Sequence, residues 1–208
     1  MRPLLSVQHI VKRFGGVTAL ADGNLEVYAG EVLALMGANG SGKSTLSKII
    51  NGAVVPDSGT ITLDGEVTRF ASPKAARQRG IAAVYQELSL VPDMTVAENI
   101  WLAHEPRRFG QIRWREVFAR TERLLDLFAG TIRPSLRPDT PVAALPPDER
   151  QIVEILKALS LEPRLMILDE ATASLDSRQV SRVFELVADW KARGMAVGFI
   201  SHRMEEVF

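Results

Sequence analysis

Hydrophobic positions run first in short apolar blocks, then at helical spacing, then in blocks again. Leu4 to Val11 alternates loosely and predicts a strand, as does Asn24 to Tyr28. After a Gly30-Glu31 turn, Val32-Leu33-Ala34-Leu35-Met36 is a continuous apolar run bounded by glycine, which predicts a strand buried on both faces. A glycine-rich turn follows, and Thr45 to Ile50 has helical character. Thr60 to Leu63, closed by Asp64-Gly65, is a strand with a turn signal, and Ala82 to Tyr85 is another short strand. From Val96 to about Ser160 the pattern is helical. Between Arg115 and Phe128, residues Val117, Phe118, Leu124, Leu125 and Phe128 fall at helical spacing. Five prolines from Pro134 to Pro147 mark an irregular connector, and Arg150 to Leu159 is a second amphipathic helix. Leu165 to Leu168 returns to a buried strand, Ser177 to Ala192 to a helix, and Met195 to Ile200 to a strand. The pattern describes an α/β core interrupted by a helical insertion at about 97–160, with no internal repeat.

Composition narrows the functions this core can serve. The 208 residues suit one domain, and 46% of them are hydrophobic, enough for a packed interior. Basic and acidic residues balance at 25 each, which argues against a bulk basic surface for nucleic acid, so no nucleic-acid partner is expected. The absence of cysteine rules out disulfides and thiolate metal sites and fits a reducing compartment. No signal-peptide pattern opens the chain, and no run approaches the roughly 18 apolar residues of a membrane span. Membrane contact is therefore expected only through a partner.

Two segments carry chemistry. Gly37-Ala38-Asn39-Gly40-Ser41-Gly42-Lys43-Ser44 fits G-x-x-x-x-G-K-[ST], with an apolar strand before it and a helix from Thr45 after it. Glycines let successive N–H groups curl around one anion, and the following helix adds its positive end. Lys43 can reach β- and γ-phosphates, and the Ser44 hydroxyl can hold Mg²⁺. The bland alternative is a glycine turn with a surface lysine. The second segment, Leu165 to Glu170, is a hydrophobic strand ending in two carboxylates. Asp169 at the strand end can hold Mg²⁺ through water, and Glu170 can polarise an attacking water. Alone, such a pair is a common strand exit; beside a phosphate loop it is the second half of a nucleotide site.

Taken in order, the phosphate loop, Gln86, Leu168-Asp169-Glu170, Ser174-Leu175-Asp176 and Ser201-His202 resemble the ATP-binding cassette (ABC) ATPases over essentially the whole chain. The stretches Val84 to Pro92, Met94 to Ile100 and Ile200 to Met204 are similar to the N-terminal half of tandem ATPases from bacterial monosaccharide importers of the ribose, xylose and galactose type. The resemblance implies an α/β P-loop NTPase core with an antiparallel β subdomain and a helical insertion. It implies ATP and Mg²⁺ as cofactors, with Ser44, Gln86 and Asp169 as the metal set. Phe14 matches the aromatic that stacks on adenine, although it could also be a plain core aromatic. Gln86 matches the residue that senses the γ-phosphate and relays to the membrane subunit. His202 matches the switch histidine, and Glu170 and Lys43 complete the catalytic group. Asp176 matches a loop that crosses to the partner domain, and it is also placed to cap the helix from Ser177.

The implied function is the ATP-binding subunit of an importer of a sugar or similar small solute. Such a subunit lies at the cytoplasmic face of the cell membrane, peripheral to membrane-spanning permease subunits and indirectly served by a periplasmic or extracellular solute-binding protein. One motif departs from the family. Where a Ser-Gly-Gly-type signature is expected, the chain reads Leu145-Pro146-Pro147-Asp148-Glu149-Arg150-Gln151. Pro146 has neither hydroxyl nor N–H, and Asp148 and Glu149 are expected to set negative charge where a partner's phosphate approaches. Ala171 also stands where the family usually has proline. The expectation is a chain that binds ATP but needs a second ABC ATPase domain, beyond residue 208, to supply a working signature. A non-catalytic nucleotide-binding module and a non-transport ATPase acting on ribosomes or DNA are the alternatives.

Overall fold

Pairing across the first 27 residues makes a long hairpin. Strands β1 (Leu5–Phe14) and β2 (Val17–Val27) run antiparallel around the Gly15-Gly16 turn. Both strands are longer than hydrophobicity alone indicates. Ladder hydrogen bonds do not depend on side-chain polarity, so Lys12 and Arg13 stay in the strand. Asp57 fixes them there, accepting from Lys12 Nζ at 2.8 Å and from the Arg13 amide at 2.7 Å. The computed structural model describes residues 2–38 and 40–201, which form two units.

The first unit comprises residues 2–85, 163–170 and 187–201. It adds β3 (Val32–Leu35), α1 (Lys43–Ile50), β4 (Ser58–Leu63), β5 (Glu66–Thr68), α2 (Pro73–Gln78), β6 (Ile81–Val84), β9 (Leu165–Asp169) and β10 (Ala196–Ile200). Two sheets result, an antiparallel one in the order β2-β1-β4-β5 and a parallel one in the order β3-β10-β9-β6. The core draws on both, with Leu5, Ile10, Ile49, Leu63, Leu165 and Ile167 buried together. The Asp64-Gly65 turn predicted after Thr60–Leu63 closes β4 onto β5, both residues having positive φ, and Arg164 holds Asp64 through two bonds of 2.7 Å.

The parallel sheet corrects one expectation. Every residue of β9 is buried, as its apolar run implies, because β9 has a neighbour on each side. The equally apolar β3 is not buried on both faces; Val32 is 39% exposed. Among the described residues β3 pairs only with β10, so it is an edge strand, and an apolar run does not encode its place in a sheet.

The second unit comprises residues 86–162 and 171–186. It contains α3 (Val96–Trp101), the short strands β7 (Arg107–Arg108) and β8 (Gln111–Ile112), α4 (Trp114–Leu125) and α5 (Pro147–Leu159). Helix α6 (Ser177–Ala192) runs from this unit into the first. Thr95 and Glu98 form a reciprocal cap on α3, and the buried Trp101 indole donates to Thr121 of α4 at 3.0 Å. Helix α5 begins three residues earlier than its apolar period suggests. Pro146 is its N-cap and Pro147 its first residue, where a missing N–H costs nothing.

The tightest approach in the first unit lies at a β1 irregularity. His9 has φ 53° where the β1–β2 register shifts, and Gly59 of β4 passes so close that a Cβ there would sit 2.5 Å from the His9 carbonyl oxygen. Gly59 also has φ 99°, which disfavours any side chain. Gly59→Ala is therefore expected to destabilise the chain by about 2–3 kcal/mol in urea unfolding. Gly16→Ala, in open space with ordinary φ, is expected to change stability by less than about 0.5 kcal/mol.

Candidate functional site

Strand β3 delivers the chain into residues 36–42, and α1 takes it away from Lys43. The turn into the helix is made at Gly42, the N-cap, with φ 91° and no side-chain cap. A Cβ there would meet the Ala19 carbonyl oxygen at 2.7 Å and the Leu20 side chain at 2.6 Å, both on β2. Only glycine brings the helix start this close to the antiparallel sheet. The Ser41 amide donates to Ala38 O at 3.2 Å, closing the loop on itself. The first-turn amides of α1 receive no side-chain cap and are free to meet an anion.

Lys43 turns back over this loop. Its ammonium donates to Gly37 O at 2.6 Å, Ala38 O at 2.9 Å and Ser41 Oγ at 3.3 Å. The cation thus sits among the carbonyls of its own loop, at the point an anion must approach. Ser44, one residue on, lies near enough to the Asp169 carboxylate for its hydroxyl to lower that group's pKa. Asp169 closes β9 opposite Ile200 of β10 and is 5% exposed. Burial pushes its carboxyl above the ordinary range, the Ser44 hydroxyl pulls it back, and neighbouring Glu170 pushes it up again; Lys48 and Lys43 lower it.

Glu170 follows with φ 53°, a left-handed conformation that a non-glycine residue rarely adopts. Its amide donates to Ile200 O at 2.9 Å. Glu170 thus leaves the strand in a backbone conformation different from that of Asp169. Strain of this kind collects at working sites. Among the described residues no group of three His, Cys, Asp or Glu could hold a metal by itself. The Ser44 hydroxyl and the Asp169 carboxylate offer two neighbouring hard-oxygen groups. That set fits Mg²⁺, which keeps waters and takes one or two protein oxygens plus phosphates rather than a protein cage.

Lys43, Ser44, Asp169 and Glu170 are therefore brought together within one unit. Phe14 ends β1 half-exposed, at 50%, with the Lys12 ammonium 5.4 Å from its ring centroid. Its ring is presented to solvent rather than packed in the core. Gln86 is the first residue of the second unit and is exposed. Asn39 and His202 lie outside the described residues. Sequence reading passed over Tyr85. Its hydroxyl accepts from Asn51, the C-cap of α1, at 3.1 Å, burial raises its phenol's pKa, and the Asp169 charge raises it further. A hydroxyl-bearing aromatic closing a buried strand was the available signal.

The segment at the start of α5 forms within the second unit. Pro146 and Pro147 leave the helix entrance without a side-chain cap. Of the two expected negative charges at the helix entrance, only Asp148 remains accessible, half-buried. Glu149 is 1% exposed, and Arg133 donates to it from its amide, Nε and Nη2, each at 3.0 Å. Asp148 accepts from Gln179 Nε2 at 2.9 Å. Helix α5 turns Glu149 inward one position after Asp148, and a buried carboxylate requires a paired cation. Asp176 caps α6, exchanging bonds with Gln179 at 2.8 and 3.0 Å.

Comparison with known proteins gives a consistent set. Residues 20–173 match the family model described as ABC transporter. The ribose import ATP-binding protein RbsA 1 of Rhizobium johnstonii is 47% identical over 206 residues, covering 99% of this chain and 40% of the relative. The arabinose import ATP-binding protein AraG 2 of Burkholderia cenocepacia is 44% identical, covering 99% and 39%. The chain thus spans about two fifths of the length of these relatives. Among solved structures, a nucleotide-free ATP-binding cassette from an ABC transporter superposes with TM-score 0.80 at 26% identity, over 99% of this chain and 84% of that one. A dimeric cassette in a post-hydrolysis state, bound to ADP and Pi, gives TM-score 0.85 at 25% identity, over 97% and 89%.

The buried charge at Asp169 sets a test. Asp169→Asn keeps an oxygen for the Ser44 hydroxyl and removes the cost of ionising a buried carboxyl. In magnesium-free buffer at neutral pH it is expected to raise the melting temperature by a few degrees, about 1 kcal/mol. The same variant is expected to weaken magnesium-dependent nucleotide binding by at least about tenfold, measured with a fluorescent ATP analogue.

Proposed function

The chain belongs to the ABC transporter family, and on that premise we propose that it is the ATP-binding and ATP-hydrolysing part of an importer of a sugar or similar small solute. The observation that carries this reading is the glycine-rich loop into α1, with Lys43 folded over its carbonyls and the buried Asp169 carboxylate beside Ser44, Lys43 and Lys48. No helix among the described residues is long and apolar enough to cross a membrane. Permease subunits are therefore the partners this reading requires, with the chain held at the cytoplasmic face of the membrane.

On this reading Phe14 stacks on adenine, where its exposed ring is available. The loop amides and the start of α1 receive the phosphates, and Lys43 exchanges its three loop partners for the β- and γ-phosphate oxygens. Ser44 and Asp169 would hold Mg²⁺, which would neutralise charge on the transferring phosphoryl group. Glu170, on a turned backbone next to Asp169, orients the attacking water. His202 and Asn39 complete the site as expected from the motif.

The entrance to α5 decides whether this chain serves a partner's site. Pro146 and Pro147 remove a hydroxyl and two amides from the position of the family signature, whereas Asp148 and Glu149 have partners within the unit. Lost donors weaken this face, and the Asp148 charge, met by the neutral Gln179 amide, adds to the effect. A second ATPase domain with an intact signature is then needed to complete the site of this chain. The loss also favours a second reading, a module that binds ATP without hydrolysing it.

ATP hydrolysis measured across protein concentration, with Glu170→Gln as the blank, tests both. Nucleotide binding with turnover close to the blank is expected. Pro146→Ser with Pro147→Gly and Asp148→Gly is expected to raise turnover roughly 100-fold and to make it rise with the square of concentration. Wild-type turnover that already rises so would overturn the account of the signature. Absence of ATP binding would overturn the function, and a repaired signature that leaves turnover at the blank would favour the non-hydrolysing module.

A further inference from the structure

Strands β7 and β8 form a two-stranded ribbon separate from both sheets, and its turn breaks a local rule. Arg108 pairs with Gln111, leaving Phe109 and Gly110 as the two turn residues, with φ of 51° and 81°. A two-residue turn of this hand takes Asn, Asp or Gly at its first position, and a bulky aromatic there is strained. The fold gains no burial in return. Phe109 is 92% exposed, the highest value for a large hydrophobic side chain among the described residues. Its ring lies 5.3 Å from the Arg108 guanidinium. A strained position without a packing return marks a working surface.

Charge gathers at the same place. Residues 105–120 hold five arginines, at 107, 108, 113, 115 and 120, against two glutamates, at 105 and 116, in a chain that is neutral overall. Glu105 pairs with Arg107, and Glu116 is shared by Arg113 and Arg120. Arg108 and Arg115 have no ion pair among the described residues. The Arg113 amide donates to Pro106 O at 2.8 Å, so the foot of the ribbon leads directly into α4, whose first residue, Trp114, is also exposed. The segment thus offers a projecting phenyl ring, an exposed indole and unpaired guanidinium groups.

A ribbon of two residues per strand is too small for a protein interface of ordinary size, which takes about 800 Å² on each side. A lipid surface makes no such demand. It accepts a single ring at the headgroup boundary while arginines meet phosphates. We propose that the ribbon and the start of α4 form a contact surface for anionic phospholipid, with Phe109 entering the interface and Arg108 and Arg115 meeting the headgroups. This goes beyond the nucleotide site and stands whether or not the chain hydrolyses ATP.

Co-sedimentation of the chain with phosphatidylglycerol-containing vesicles and with pure phosphatidylcholine vesicles tests it. Binding is expected to the anionic vesicles only, weakening as salt shortens the reach of the charges. Arg108→Gln with Arg115→Gln is expected to weaken it about 10- to 30-fold. Phe109→Asn suits the turn, so it is expected to keep or raise the melting temperature while weakening vesicle binding several-fold. Equal binding to both vesicles, no binding to either, or unchanged binding by Phe109→Asn overturns the proposal. Binding to soluble polyglutamate as tight as to the anionic vesicles also overturns it, assigning the surface to an acidic protein.

Discussion

A carboxylate taken out of water at the end of a strand is costly to ionise, and the nucleotide site is built around one. Asp169 is buried by the strands on either side of β9, and burial is the largest influence on its carboxyl. The nearby Ser44 hydroxyl offsets part of that cost, where α1 meets the carboxyl end of the parallel sheet. Gly42 allows the approach, because no larger residue fits between α1 and β2. Asp169 has the Ser44 hydroxyl near it and no ion pair among the described residues, too little to compensate a buried anion fully. The shortfall is the chemical reason a divalent cation suits the place. Stability is traded for a site whose charge is completed by what it binds.

The same rule, that buried charge must be matched, produces a different result in the second unit. Glu149 is more deeply buried than Asp169, yet Arg133 meets it with three hydrogen bonds and a matching charge. One carboxylate is closed off as structure and the other is left open to chemistry. The α5 entrance therefore differs from the family pattern through its prolines. These change the donor inventory without disturbing the helix, since Pro147 occupies the one turn where proline is at home.

Local strain follows a similar division. Asp64 and Gly65 adopt positive φ in a turn whose residues suit it, and Arg164 pins the result. Glu170 and Phe109 adopt positive φ against their own preference. At Glu170 the turn falls at the strand exit, directly after the buried Asp169. At Phe109 it lifts a ring into solvent beside unpaired arginines. That gain is visible in what the side chain faces rather than in stability.

Much of this was legible in the residues alone. The phosphate loop, the Asp169-Glu170 strand end and the helix at Ser177–Ala192 depend on spacing within a few residues, and backbone geometry turns such spacing directly into shape. The Asp64-Gly65 turn was legible for the same reason. Other features were decided by partners distant in sequence. The edge position of β3 depends on β10, more than 160 residues away, so its apolar run implied a burial it does not have. The inward turn of Glu149 depends on Arg133, and the place of Tyr85 depends on Asn51. The sequence by itself determined which residues could carry phosphate chemistry, because those motifs are short-range. Only the tertiary structure decided which charges remain available to a ligand, because burial and pairing belong to contacts that no local pattern records.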